Sequence, residues 1–177
     1  MRRIALSILL TALIVPVFAA PASAGAGEGS FVSLINSSRA ANGLPSLATM
    51  GSLTSHGRKH SAEMAASGGI YHSSKSELRS LASGWESYGE NVGRGPNDPS
   101  ALHSAFMSSS GHRNNILGDY THVGVGTLVT DDGILYVTVV FMRFPSSSTT
   151  TTTVAPTTTT TPTSSSSPTT TMPKGAP

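Results

Sequence analysis

Six histidines and five glutamates are the side chains of this chain best suited to proton transfer or metal binding near neutral pH. No cysteine is present to act as a nucleophile, and neither a GxSxG elbow nor a Walker-type phosphate loop occurs. Serines are plentiful, but no pattern marks one as a nucleophile. His56 and His60 stand four apart in a helical pattern, which puts both rings on one face at a spacing that suits a metal. The zinc-protease helix places a glutamate directly after its first histidine, and Gly57 stands there instead, so a surface or half-packed pair is the plainer expectation. His103 falls on the polar side of a helical stretch and His122 at a strand start, both expected to be structural or solvated.

His72, Glu90 and His112 differ from these, because each lies at the edge of an element or in a polar loop where a side chain can turn into a cleft. Two neutral imidazoles can hold a divalent ion such as zinc while a carboxylate binds it or orients a water. His112 sits in "SSSGHRNNIL", where a glycine, serines and asparagines surround it and Ile116 and Leu117 close the segment with apolar residues.

Helices and strands must position these groups. From Gly29, the pattern Phe31, Leu34, Ile35, Ala41 predicts a helix that stops at Asn42 and Gly43. Ser52 is expected to cap a second helix carrying Leu53, Gly57, His60, Ser61 and Met64, ended by "SGG". Periodicity fails over 70–94, which reads as a long connection ending in "YGENVGRG". Asp98 as cap and Pro99 in the first position open a third helix with a stripe of Ala101, Leu102, Ala105 and Phe106. Ser110 is expected to cap the short turn with His112, and a hairpin follows: "HVGVGTLV", a "DDG" turn and "ILYVTVVFMRF". Helices followed by strands make an α+β domain with helices packed on an antiparallel sheet.

Both ends differ in composition. Arg2 and Arg3, the apolar run that follows and the small residues Ala22, Ser23 and Ala24 form an export signal, with cleavage expected after Ala24. Residues 25–145 then make one domain, stabilised by packing alone because no disulfide is possible. All but six residues of 146–177 are Ser, Thr or Pro, too few apolar groups to offset chain entropy, so this tail is expected to be disordered. No hydrophobic segment follows it, so no integral membrane anchor is expected after signal cleavage. Of eleven Lys and Arg, two lie in the signal, leaving nine against nine Asp and Glu, and this balance implies no nucleic-acid partner.

"RAANGLPSL", "HSAEMAASGGIYH", "GENVGRG", "SSGHRNNIL" and "HVGVGTL", in this order and at these separations, closely resemble the CAP superfamily of cysteine-rich secretory, antigen 5 and pathogenesis-related proteins, in its small disulfide-free bacterial form. The resemblance spans about residues 29–144 and implies an α-β-α sandwich with a central antiparallel sheet, an exported location and a shallow cleft lined by two His and two Glu. On it, His72, Glu90 and His112 fall at three of those four positions. The fourth departs: Phe106 stands for the family's tryptophan and "SSS" follows where a glutamate is found. A serine hydroxyl cannot carry that negative charge, and Glu86 in "GWESYGEN" is not an expected substitute.

Two classes of function fit these residues. One is a secreted, non-catalytic module, extracellular or associated with the cell envelope, that binds a lipid, glycan or envelope ligand at the cleft, with a metal as an optional accessory. The other is a zinc-dependent hydrolase or peptidase in which His72 and His112 hold the ion and Glu90 takes a proton from the bound water. Adhesion through the surface, with the hydroxyl-rich tail held in a polysaccharide layer, is a third and simpler role. Neither the ligand nor the oligomeric state is written in the sequence.

Overall fold

The computed structural model describes residues 23–145. They run β1 (Ser23–Ala24), α1 (Glu28–Ala41), β2 (Ala48–Thr49), α2 (Gly51–Ser67), α3 (Lys75–Ser80), β3 (Ser87–Pro96), α4 (Pro99–Ser108), α5 (Ser110–Ile116), β4 (His122–Val129) and β5 (Ile134–Arg143). Most of the expected signal and the whole 146–177 tail lie outside the described residues.

Strand β5 is apolar along nearly its whole length because helices cover both of its faces. Its odd-numbered residues Leu135, Val137, Val139 and Phe141 join Val123 and Val125 of β4 beneath Phe31 and Ile35 of α1, Phe106 of α4 and Ile116 of α5. Its even-numbered residues Tyr136, Val140 and Met142 face Leu53 and Met64 of α2 and Leu78 of α3. The expected α-β-α sandwich is thus present. The sheet runs β1-β4-β5-β3, with the three long strands antiparallel. One pairing departs from the expected antiparallel sheet: β2 lies parallel to β4, Ala48 opposite His122 and Thr49 opposite Val123. The extended link between α1 and α2 there satisfies its backbone on the outer edge of β4, Ala48 N donating to Thr121 O and Met50 N to Val123 O.

The long connection expected over 70–94 is instead an α-helix followed by the ten-residue strand β3. Ser74 opens α3 with a complete capping box, its side chain accepting from Glu77 N while Glu77 accepts from Ser74 N. Strand β3 pairs with β5 along its length, from Ser87 opposite Arg143 to Pro96 opposite Ile134. Asp98 caps α4 as expected, accepting from Ser100 N at 2.8 Å and Ala101 N at 3.2 Å. The other two expected caps move by one or two residues: α2 begins after Met50 and α5 after Ser109, neither with a side-chain cap bond. The described fold also begins slightly before residue 25, since Ser23 and Ala24 pair with Val129 and Leu128.

Helix α2 packs closely on β4 where glycines leave room for its backbone, and Ser61 Oγ donates across this contact to Gly126 O at 2.9 Å. A Cβ on Gly126 would overlap Arg58 N and Gly57 C, one on Gly124 would overlap Leu53, and one on Gly57 would lie 2.7 Å from Gly126 N. The glycines of "HVGVGTL" therefore serve close approach of helix to sheet. This contact fixes the height of α2, and with it the two histidines on its inner face.

Candidate functional site

Glu90 lies on β3 with its side chain only 3 % exposed, and three donors hold its carboxylate. Ser73 N donates to Oε2 at 3.0 Å, Ser73 Oγ to Oε1 at 2.6 Å, and His72 Nδ1 to Oε2 at 2.8 Å. A carboxylate accepts only, so the proton on His72 sits on Nδ1 and its Nε2 is left to face outward. The His72 side chain is 61 % exposed.

A second layer fixes the segment that carries His72. His60 Nε2 donates to Tyr71 O at 2.8 Å, one residue before it. His56 Nε2 stands 2.8 Å from Ser73 Oγ, one residue after it. The single hydroxyl proton of Ser73 is given to Glu90, so the Ser73 oxygen accepts from His56 Nε2–H. The two rings stack at 5.9 Å, and Tyr71 meets His60 edge-on at 5.0 Å. His56 and His60, expected as a surface or half-packed pair, are both buried and hold residues 71–73 against the strand. Burial pushes the His56 imidazole below its ordinary pKa, against the nearby Glu90 charge, which raises it.

His112 comes from α5, its ring 4.8 Å from that of Phe106. Burial, and next repulsion from His72 when that ring is protonated, hold its pKa below the usual value. The turn carrying His112 is tied to β3 by asparagines. Asn91 donates from Nδ2 to His112 O at 3.0 Å, and Asn115 donates to Glu90 O at 2.9 Å and Asn91 Oδ1 at 2.8 Å. The "GEN" and "HRNN" stretches therefore interlock. Arg39, fully buried in α1, closes the far side by donating to Ile116 O at 2.9 Å and Gly118 O at 2.7 Å.

Glu86 is turned away and accepts from Arg143 Nε at 2.7 Å. His122 bonds Thr121 Oγ1 and packs on Phe144. His103, expected on a polar face, is buried beside Ser38 Oγ at 2.9 Å, and its Nδ1 has no partner. Burial lowers its pKa. Among the described residues no group of three or more His, Cys, Asp or Glu side chains is placed to hold a metal ion. With Glu90 engaged by three donors, the donors open to zinc are His72 Nε2 and the His112 ring, which falls short of a two-histidine, one-carboxylate set. The four-residue spacing of His56 and His60 marks a shared helix face but suggests only a metal pair or a half-packed pair, and Ser73 carries no signal of its place beneath His72.

The layered fold is matched by the cysteine-rich secretory protein family, CAP. The family model matches residues 32–141, and this chain belongs to that family. The Bacillus subtilis (strain 168) protein YkwD is 33 % identical over 114 residues, covering 60 % of this chain and 44 % of that protein. The chain thus spans less than half the length of that curated relative. An extracellular protein containing an SCP domain from Bacillus anthracis matches at 26 % identity and TM-score 0.58, covering 66 % of this chain and 40 % of that one. An outer surface protein of Borrelia burgdorferi shares the fold at TM-score 0.60 and 17 % identity, covering 66 % of this chain and 92 % of that one.

Proposed function

We propose that the protein is exported and that its domain is a binding module, which takes a lipid, glycan or cell-envelope ligand at the surface around His72 and His112. The observation that carries this is the state of Glu90. Its carboxylate is buried and already accepts from three donors, which orients His72 and leaves it poorly placed to take a proton from a solvent water. What faces outward is the His72 ring, with Ile70 at 52 % and Tyr71 at 45 % exposure next to it, a mixed apolar and imidazole surface suited to contact. Export is supported by the signal-like pattern of 1–24 and by the extracellular and outer-surface descriptions of the matched proteins.

The test titrates the exported protein with phosphatidylglycerol vesicles and with purified peptidoglycan, alongside a His72→Ala, His112→Ala double variant. Binding to one of the two, weakened about tenfold or more in the variant, is expected. Equal binding by both proteins would overturn the site. Turnover of either material that vanishes in Glu90→Gln would replace the module with the hydrolase. Zinc calorimetry on the same two proteins reads whether the two imidazoles suffice to hold the ion.

A further inference from the structure

We infer that processing after Ala24 converts the outer edge of β4 into a slot for the carboxy-terminal end of an extended peptide. The inference rests on the export proposed above and goes beyond it, to a place distinct from His72 and His112.

The slot is already occupied in this chain. Strand β1 lies antiparallel on β4, with Ser23 opposite Val129 and Ala24 opposite Leu128, and Gly25 N donates to Thr127 O at 3.1 Å. Hydrogen-bonded pairs alternate along an antiparallel ladder, so after Gly25 and Thr127 the next such pair is Ser23 and Val129. Removal of residues 1–24 leaves the Val129 N–H and C=O on an open edge, the condition under which a peptide strand adds to a sheet.

Gly25 closes one end of that edge. In the processed chain its nitrogen is the α-ammonium, still beside Thr127 O, so an added strand cannot continue past the register of Ala24. A peptide that ends there brings its α-carboxylate against this ammonium. Beside the edge lies an open cavity of about 490 Å³ lined by Ala62, Ala65 and Ala66 of α2, Leu128, Thr130, Asp131 and Asp132. A residue paired with Leu128 stands on Leu128's face of the sheet, which is also that of Tyr136, packed on Met64 of α2. The last side chain of the peptide therefore enters this cavity. Its alanine and leucine wall suits an aliphatic stem, and the two aspartates suit a cationic end. The occupant is an extended peptide ending in Lys or Arg with a free carboxylate.

The experiment uses the exported protein, its first residue read by intact mass. Three labelled peptides are titrated by fluorescence anisotropy: the sequence of residues 17–24, VFAAPASA, its Ala24→Arg form VFAAPASR, and VFAAPASR with an amidated terminus. The arginine free acid is expected to bind about tenfold or more tightly than either other peptide. It should shift the Val129 amide resonance, and Asp131→Asn with Asp132→Asn should abolish the preference for arginine. Equal affinity of the free acid and the amide, or amide shifts confined away from 128–132, would overturn the slot. A mass that retains Ser23 and Ala24 would also overturn it, because the edge stays filled. That outcome is read by mass alone, and vesicle or peptidoglycan binding at His72 and His112 is read separately.

Discussion

Replacing Ser73 by alanine removes the one hydroxyl that joins α2 to β3 beneath His72. Two bonds go at once: the 2.6 Å donation to Glu90 Oε1 and the 2.8 Å acceptance from His56 Nε2. A hydrogen bond to a charged group contributes about 1.5–3 kcal/mol, and a buried donor left without a partner costs about 1–3 kcal/mol. Ser73 is only 8 % exposed, so water cannot readily replace it, and the expected loss is about 3–5 kcal/mol. With a urea slope near 2 kcal/mol/M, the midpoint should fall by about 2 M. Urea unfolding followed by circular dichroism measures this. A second variant separates the contributions: His56→Phe in the Ser73→Ala background removes the orphaned donor, so the double variant should be more stable than the sum of the singles predicts. A Ser73→Ala loss below about 1 kcal/mol, or single effects that simply add, would refute the linked arrangement of His56, Ser73 and Glu90.

Acid should destabilise the domain through its buried and half-buried histidines. His56, His103 and His112 are all held below the ordinary imidazole value, mainly by burial. Their contribution is complete above the unfolded value near 6.5 and declines as pH falls toward the folded values, because the unfolded chain then binds more protons. Each histidine adds at most about 1.4 kcal/mol per pH unit to the slope. Urea midpoints measured between pH 7.5 and 4.5 check this, and a His103→Phe chain should show a shallower decline. Gly126→Ala should cost about 3 kcal/mol or more, since the atoms that its methyl group meets are backbone of α2 and cannot turn aside. Thermal unfolding reads that loss, and an unchanged midpoint would contradict the close contact. Arg39→Met keeps the bulk but strips donors from Pro45 O, Ile116 O and Gly118 O. A loss of about 4 kcal/mol is expected, checked by urea unfolding, with amide exchange rising first in α5.

The helices and the final hairpin were legible because their apolar spacing is regular and their breakers, Gly43, "SGG" and Asp98-Pro99, are strong. Strand β3 was hidden by the residues its neighbours demand. A Cβ at Gly93 would lie 2.9 Å from the Phe106 ring, and one at Gly89 would lie 2.5 Å from the Tyr120 hydroxyl oxygen. Glycine there permits packing while erasing the β-branched pattern by which a strand is recognised. Helix α3 has too few residues for a periodic stripe, although Ser74 and Glu77 carried the capping-box spacing. Of the site, His72, Glu90 and His112 are singled out by their places in loops and at element edges and strengthened by the resemblance, and the structure joins the first two directly. The part played by His56, His60 and Ser73 depends on where a loop folds back over a helix, a tertiary relation that spacing along one helix does not encode. Nothing in the sequence pattern marks Arg39, and only the fold shows the carbonyls it gathers.

The bare meeting of α2 with β4 works as a spacer of fixed thickness. Where side chains separate a helix from a sheet, a mutation in either layer can tilt the helix slightly and be absorbed. Here the gauge at Gly57 and Gly126 is main chain against main chain, which holds the helix that carries His56 and His60 close above the strands. Substitutions in the exposed loop around His72 can thereby leave the foundation beneath it at a constant height.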